Sequence, residues 1–182
     1  MNSCVKIRVS PYLIFLAAAV AYFGAADFVA AAMLAALCHE LGHIAFLLFR
    51  QKRIHEIKFE VCGAVIRSEP LGAGEDAFCA FLGPITNLLL SFLFQNQFPQ
   101  FAFAGYCLGL YNLLPIYPLD GGRVLAVFLP MRVVRYVGDG ISLIALVAVF
   151  SVCVYQQLPI WISMAVTLIL CRIWHLGRNE AL

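Results

Sequence analysis

Six apolar runs, separated by short polar intervals, make up most of this 182-residue sequence. We predict a helix in each run, at residues 11–26, 28–49, 77–94, 101–117, 141–155 and 159–173. A helix that crosses the hydrocarbon core of a membrane needs about 20 residues, and several of these runs are at the short end of the usual range. The pattern predicts an all-α polytopic membrane protein with about six transmembrane helices in a single domain, residues 1–182.

The polar interval after the second run has a different pattern. Residues 54–61 partly alternate between apolar and polar side chains, and residues 64–67 follow after Gly63. Alternation is typical of strands, and a glycine between two such segments is typical of a turn or bulge. We therefore expect a short insertion that resembles a β-hairpin. Residues 124–129 are apolar but too short to span a membrane, and we expect them to extend a neighbouring element.

Composition supports the membrane assignment. Hydrophobic residues make up 63% of the chain and charged residues 12%, which is about half the charged fraction of a soluble domain. The lipid bilayer is therefore the expected surroundings of most of the apolar surface. The net charge of +2, with no basic cluster among the aromatic residues, gives no indication of nucleic acid binding.

The basic residues are distributed unevenly about the predicted helices. All 12 Lys and Arg residues fall on one side of the six spans, and the opposite loops at residues 25–27, 95–100 and 156–159 contain none. Basic residues are enriched in cytoplasmic loops. This predicts a multi-pass protein of a bacterial cell membrane with both termini and the hairpin in the cytoplasm. The alternative, a cleaved signal peptide in the first run, is disfavoured because the second run follows at once and leaves no exported domain.

The second apolar run contains the sequence H-E-x-x-H at residues 39–43. Residues four apart lie on one face of a helix, so His39 and His43 can bind one metal ion together. Glu40 is next to that site and can act as general base on a water molecule. The alternative is a chance match, but ionisable residues inside a membrane are costly unless they are paired or functional.

A catalytic zinc ion usually has three protein ligands. Asp120 lies in an irregular segment at the end of the fourth run, where Pro115 and Pro118 interrupt helical hydrogen bonding and Gly121-Gly122 permits unusual backbone angles. We expect Asp120 to be the third ligand. The alternative is a carboxylate at a helix exit that pairs with Arg123.

These motifs resemble the site-2 protease family of intramembrane metalloproteases, peptidase family M50. The resemblance covers residues 29–123 and includes H-E-x-x-H, the Pro-Leu-Asp-Gly-Gly sequence at residues 118–122, and a G-P-x-x-N motif at residues 83–87. It implies zinc bound by His39, His43 and Asp120, with Glu40 as the catalytic base. It also implies a membrane-associated protein as substrate. The choice of zinc over iron or cobalt depends on the ligand types and on this resemblance.

The helix layout and the motif at residues 112–122 also resemble a sporulation subgroup of this family. Its members cleave the pro-sequence of a sigma factor, which implies release of a transcription factor and possible control by other membrane proteins. They carry a nucleotide-sensing CBS domain after the last helix, and the 182 residues here contain no such segment. Regulation by ATP is therefore not carried over.

Two asparagines are candidate substrate-binding residues. Asn112 or Asn87 could hold the substrate backbone or the oxyanion, and the alternative for each is a hydrogen bond between helices. A competing function is a membrane metal-binding or transport protein, or an inactive protease relative. Glu40 distinguishes these functions, because a Glu40→Gln variant of a protease should keep its metal and lose cleavage.

Overall fold

The computed structural model describes residues 5–20, 22, 26–60 and 63–155. These residues form six α-helices and three strands. The helices are α1 (Pro11–Val20), α2 (Ala26–Phe49), α3 (Ala73–Phe94), α4 (Pro99–Asn112), α5 (Asp120–Phe128) and α6 (Met131–Tyr155), and the strands are β1 (Lys6–Val9), β2 (Ile54–Glu60) and β3 (Gly63–Ser68). The chain divides into two compact units, residues 1–112 and 113–182.

The chain is mostly helical, as predicted, but it is not all-α outside the hairpin. The two expected strands are present as β2 and β3, which pair antiparallel. A third strand, β1, pairs parallel with β2, so the sheet order is β1-β2-β3. We did not predict β1, because its four residues become a strand only through pairing with a segment about 50 residues further along the chain.

The largest differences from the predicted helices lie in three places. Helix α4 ends at Asn112 rather than at residue 117, since Pro115 cannot donate a helical hydrogen bond and disfavours helical backbone in the residue before it. Residues 120–128 form a separate helix rather than an extension of a neighbour. Helix α6 begins at Met131, ten residues before the predicted start. The helix predicted at residues 159–173 lies outside the described residues.

Within the described residues, two helices are long and apolar enough to cross a membrane, α2 and α3. Large apolar side chains such as Leu41, Leu48 and Phe92 are exposed, whereas polar ones such as Glu40 and Ser91 are buried. Polar groups that face the interior of a helix bundle are typical of a membrane protein. The count of six spans and the single domain stay predictions.

Helices α2, α3 and α4 pack closely in the first unit because glycines lie where they meet. A Cβ on Gly42 of α2 would be 2.8 Å from the carbonyl oxygen of Leu82. A Cβ on Gly109 of α4 would be 3.2 Å from the carbonyl oxygen of Pro84. Small residues at helix contacts allow this approach in membrane proteins. The α2–α3 contact is the one that positions the candidate site.

The sheet is attached to the end of α2 and the start of α3. A buried cluster of Phe46, Leu47 and Cys79 packs against Ile54 of β2 and Ile66 of β3. Arg50, directly after α2, forms an ion pair with Glu75 of α3. Apolar packing and charge pairing therefore hold the hairpin next to the His43 end of α2.

Candidate metal centre

Helix α2 directs the two histidines of the H-E-x-x-H sequence at a common point. The Nε2 atoms of His39 and His43 are 3.1 Å apart, and both side chains are buried. The helical repeat predicts that residues four apart share a face, and these rings do so. Two ring nitrogens at this distance need a proton or a cation between them, because two facing lone pairs repel each other.

The protonation of His43 follows from its second ring nitrogen. Nδ1 of His43 is 2.8 Å from the carbonyl oxygen of Cys79 on α3. A carbonyl oxygen only accepts hydrogen bonds, so Nδ1 must be the donor. In the neutral ring, Nε2 then has a lone pair and can bind a metal ion. The backbone of α3 therefore holds His43 in the form that a metal site requires.

Gly83 of α3 provides the space in front of the two rings. A Cβ at this position would lie 2.9 Å from Nε2 of His39 and 2.5 Å from Cε1 of His43, and it would also press against Nε2 of His43. A hydrogen in place of a side chain therefore leaves room for a group held by both nitrogens. Two nitrogens on a tetrahedral zinc ion, each about 2.0–2.1 Å from the metal, would be about 3.4 Å apart. The observed spacing fits such an ion.

Glu40 is buried beside the two histidines and is connected to the sheet. Its Oε1 accepts a hydrogen bond from the backbone N–H of Ala64 on β3, at 3.2 Å. The hairpin therefore orients the carboxylate that we predicted to be the catalytic base. Its role in catalysis stays a prediction.

The two asparagines have different surroundings. Asn87 is almost completely buried, and its Nδ2 is 3.4 Å from Nδ1 of His39. Asn112 is half-buried, and its Nδ2 donates to the carbonyl oxygen of Leu108 in its own helix, at 3.0 Å. The substrate-binding role of both residues stays a prediction.

In the second unit, Asp120 begins helix α5 and is buried. Its Oδ1 is 3.2 Å from Nη1 of Arg123, so the ion pair that we considered as an alternative is present. A carboxylate has two oxygens and can accept an arginine and a metal ion together. A Cβ on Gly122 would be 2.5 Å from the backbone nitrogen of Tyr117, which shows how closely the irregular segment folds back on α5.

His39 and His43 in the first unit are buried, and so is Asp120 in the second unit. Imidazole and carboxylate groups are both metal ligands. This donor set suits zinc, which is commonly bound by nitrogen and carboxylate ligands.

Comparison with known proteins shows which family this chain resembles. The chain is 30% identical to stage IV sporulation protein FB of Bacillus subtilis (strain 168) over 138 residues, which is 69% of this chain and 48% of the relative. The chain thus spans about half the length of that relative. Its fold matches the site-2 protease from Methanocaldococcus jannaschii with a TM-score of 0.68 and 16% identity, over 99% of this chain and 91% of the other. No family model matches.

The chain belongs to the site-2 protease family. The sequence resemblance to this family is therefore confirmed. The histidine pair on one helix, found from spacing alone, is the part of the site that sequence reasoning located best.

The sequence did not predict three other features of the site in this site-2 protease family member. They are the carbonyl of Cys79, the gap at Gly83 and the backbone N–H of Ala64. Gly83 carried a signal, since it begins the G-P-x-x-N motif, but the motif gave no role to it. The other two act through their backbone atoms, so no residue type in the sequence marks them.

Proposed function

We propose that this chain is an intramembrane metalloprotease that hydrolyses peptide bonds of membrane-associated proteins. In this proposal His39, His43 and Asp120 hold a zinc ion, and Glu40 is the general base. The observation that carries the proposal is the convergence of two Nε2 atoms, 3.1 Å apart, over the gap at Gly83 and next to a buried glutamate. Helix α2 thus carries two proposed zinc ligands, His39 and His43, and the proposed general base, Glu40, as the H-E-x-x-H helix of a zinc hydrolase does.

Zinc, when bound, would supply Lewis acidity that polarises the scissile carbonyl and makes water a nucleophile near neutral pH. Glu40 takes a proton from the attacking water and transfers it to the leaving amine nitrogen. The N–H of Ala64 keeps the carboxylate pointed in one direction while it does so. Asn112 is a better candidate than Asn87 for holding the substrate, because Asn87 is almost fully buried and contacts His39.

The substrate would reach the site as an extended peptide. Strand β3 is at an edge of the sheet and its Ala64 contacts Glu40, so a substrate added as a further strand beside β3 would lie next to the base. We propose a multi-pass protein in a bacterial cell membrane with cytoplasmic termini. We propose further that cleavage releases a transcription factor and that other membrane proteins regulate it, as the sequence resemblance to the sporulation subgroup implies.

The test is cleavage by the purified chain in detergent, with single-span membrane peptides as the probe. Wild type and Glu40→Gln are compared, and the zinc content of both is measured. The proposal expects wild type to cut and Glu40→Gln to keep about one zinc per chain without cutting. Equal cleavage by both variants would refute the role of Glu40. Zinc binding without cleavage by wild type would favour a metal-binding or transport protein, or an inactive relative.

A further inference from the structure

One face of α3 contacts both histidines of the candidate metal centre. Cys79, Gly83, Asn87 and Ser91 are spaced four apart, so they form a single line along this helix, and all four are buried. Helices α2 and α3 run in opposite directions, so His43 lies at Cys79, His39 lies at Asn87, and Gly83 is between them. Each ring therefore meets one polar group of α3 at its Nδ1 atom.

The two ends of this arrangement are not equivalent. His43 donates to a carbonyl, which leaves its Nε2 able to bind a metal. At His39, the amide nitrogen of Asn87 lies 3.4 Å from Nδ1. The amide oxygen of Asn87 is buried without a hydrogen-bond partner. An amide N–H can bond only to a ring nitrogen with a lone pair. That would place the proton of neutral His39 on Nε2, where it blocks a metal.

Rotation of the Asn87 amide by 180° resolves both problems. The oxygen then accepts a hydrogen bond from Nδ1–H of His39, as the Cys79 carbonyl does from His43, and the buried oxygen is no longer unpartnered. The amide NH2 then needs an acceptor. Ser91, one helical turn further on, has a hydroxyl that is also buried without a partner, and a bridging water molecule can connect this N–H to it.

We infer that Asn87 is a positioning residue for the metal ligand His39. Its side-chain oxygen holds His39 in the tautomer that presents Nε2 to the metal, and a water molecule on Ser91 completes the hydrogen bonding of the amide. This inference rests on the proposed function only in taking His39 as a metal ligand, and it assigns Asn87 a role other than the predicted substrate contact. Partners of this kind orient metal-binding histidines, and their loss typically costs 10–100-fold in metal affinity.

Three variants of the full chain separate positioning from packing. Asn87→Leu keeps the branched shape and removes the acceptor, whereas Asn87→Asp keeps an oxygen that can accept from Nδ1–H. Asn96→Leu makes the same exchange at an exposed position just after α3 and is the matched control. The first readout is zinc affinity, measured by competition with a chromophoric chelator. We expect Asn87→Leu to bind zinc 10–100-fold more weakly than wild type, with Asn87→Asp and Asn96→Leu within a few-fold of it.

The second readout is the ring nitrogen by which His39 binds the metal. Nitrogen NMR of the 15N-histidine-labelled, zinc-loaded chain distinguishes a metal-bound Nε2 with a protonated Nδ1 from the reverse arrangement. We expect a metal-bound Nε2 and a hydrogen-bonded Nδ1–H in wild type and in Asn87→Asp, and an upfield-shifted or exchange-broadened Nδ1–H in Asn87→Leu. Zinc bound through Nδ1 of His39 in wild type, or zinc affinity unchanged in Asn87→Leu, would overturn the inference. Failure of wild type to cut peptides would refute the proposed function and leave both of these readouts intact.

Discussion

Replacement of Gly83 by alanine is the sharpest perturbation that the structure offers. The new methyl group would be 2.5 Å from Cε1 of His43 and 2.9 Å from Nε2 of His39, whereas ordinary contacts begin at 3.4 Å. The methyl is fixed to the backbone of α3 and cannot move aside. The two rings must therefore withdraw, by about 0.9 Å for His43 and about 0.5 Å for His39.

The expected loss of metal binding follows from these displacements. Metal–ligand distances in well-formed sites vary by only about 0.2 Å. A shift several times larger removes at least one imidazole from coordination, which costs at least as much as the roughly 10–100-fold in metal affinity that is typical for loss of an outer-shell partner. We expect zinc affinity to fall by about 100-fold or more, which corresponds to roughly 2.8 kcal/mol at 1.4 kcal/mol per factor of ten.

The metal-free fold should survive this substitution. Alanine is a better helix former than glycine by about 1 kcal/mol, and free imidazole rings can rotate away from the methyl. Gly74→Ala is the matched control, since it lies in the same helix with nothing within 4 Å of its added Cβ. Chelator competition gives the zinc affinity, and circular dichroism in detergent gives the helical content. If Gly83→Ala folds and binds zinc as tightly as Gly74→Ala, the two rings do not converge on a metal at this gap.

Three further outcomes are expected. Gly42→Ala should lower the free energy of unfolding by about 1–3 kcal/mol in denaturant titrations, because its Cβ would lie 2.8 Å from the Leu82 carbonyl oxygen. An unchanged free energy of unfolding would contradict the close α2–α3 contact. Removal of zinc by a chelator should lower the thermal midpoint of wild type and leave that of His39→Ala unchanged, since a ligand stabilises only the state that binds it. Equal shifts of the two thermal midpoints would show that the zinc is bound elsewhere. Arg50→Ala should lower the free energy of unfolding by less than about 1 kcal/mol, because the ion pair of Arg50 with Glu75 is partly exposed. A larger loss would show that this ion pair is shielded from water.

The elements that could be predicted best are those determined by local pattern. Helices α2 and α3 follow from long apolar runs, and their observed starts differ from the predicted ones by only two and four residues. Strand β1 could not be found in this way, because nothing within its four residues specifies the partner strand. The start of α6 was missed for a different reason. Arg132 and Arg135 interrupt the apolar pattern on which the predicted start depends, although arginine is also a good helix former.

The same distinction applies within the site. The spacing of His39 and His43 depends only on the geometry of one helix, so the sequence is sufficient to predict it. The contacts at Gly83 and Asn87 depend on how α3 packs against α2, and that register is determined by many side chains together. Asn87 was considered as a substrate-binding residue because its polarity was visible in the sequence, whereas its partner was not.

A consequence for the chemistry follows from the single line of residues on α3. The carbonyl of Cys79, the gap at Gly83 and the amide of Asn87 act on the two histidines from one rigid helix, so a sliding of α3 along α2 would disturb all three together. Inside a membrane, unpaired polar groups cannot form hydrogen bonds with water. These contacts therefore also reduce the free-energy cost of burying two imidazoles. The packing that permits the histidines to be buried is thus the packing that directs them at a metal. Substitutions that shift the α2–α3 contact, Gly42→Ala among them, should therefore weaken zinc binding even where they touch neither ring.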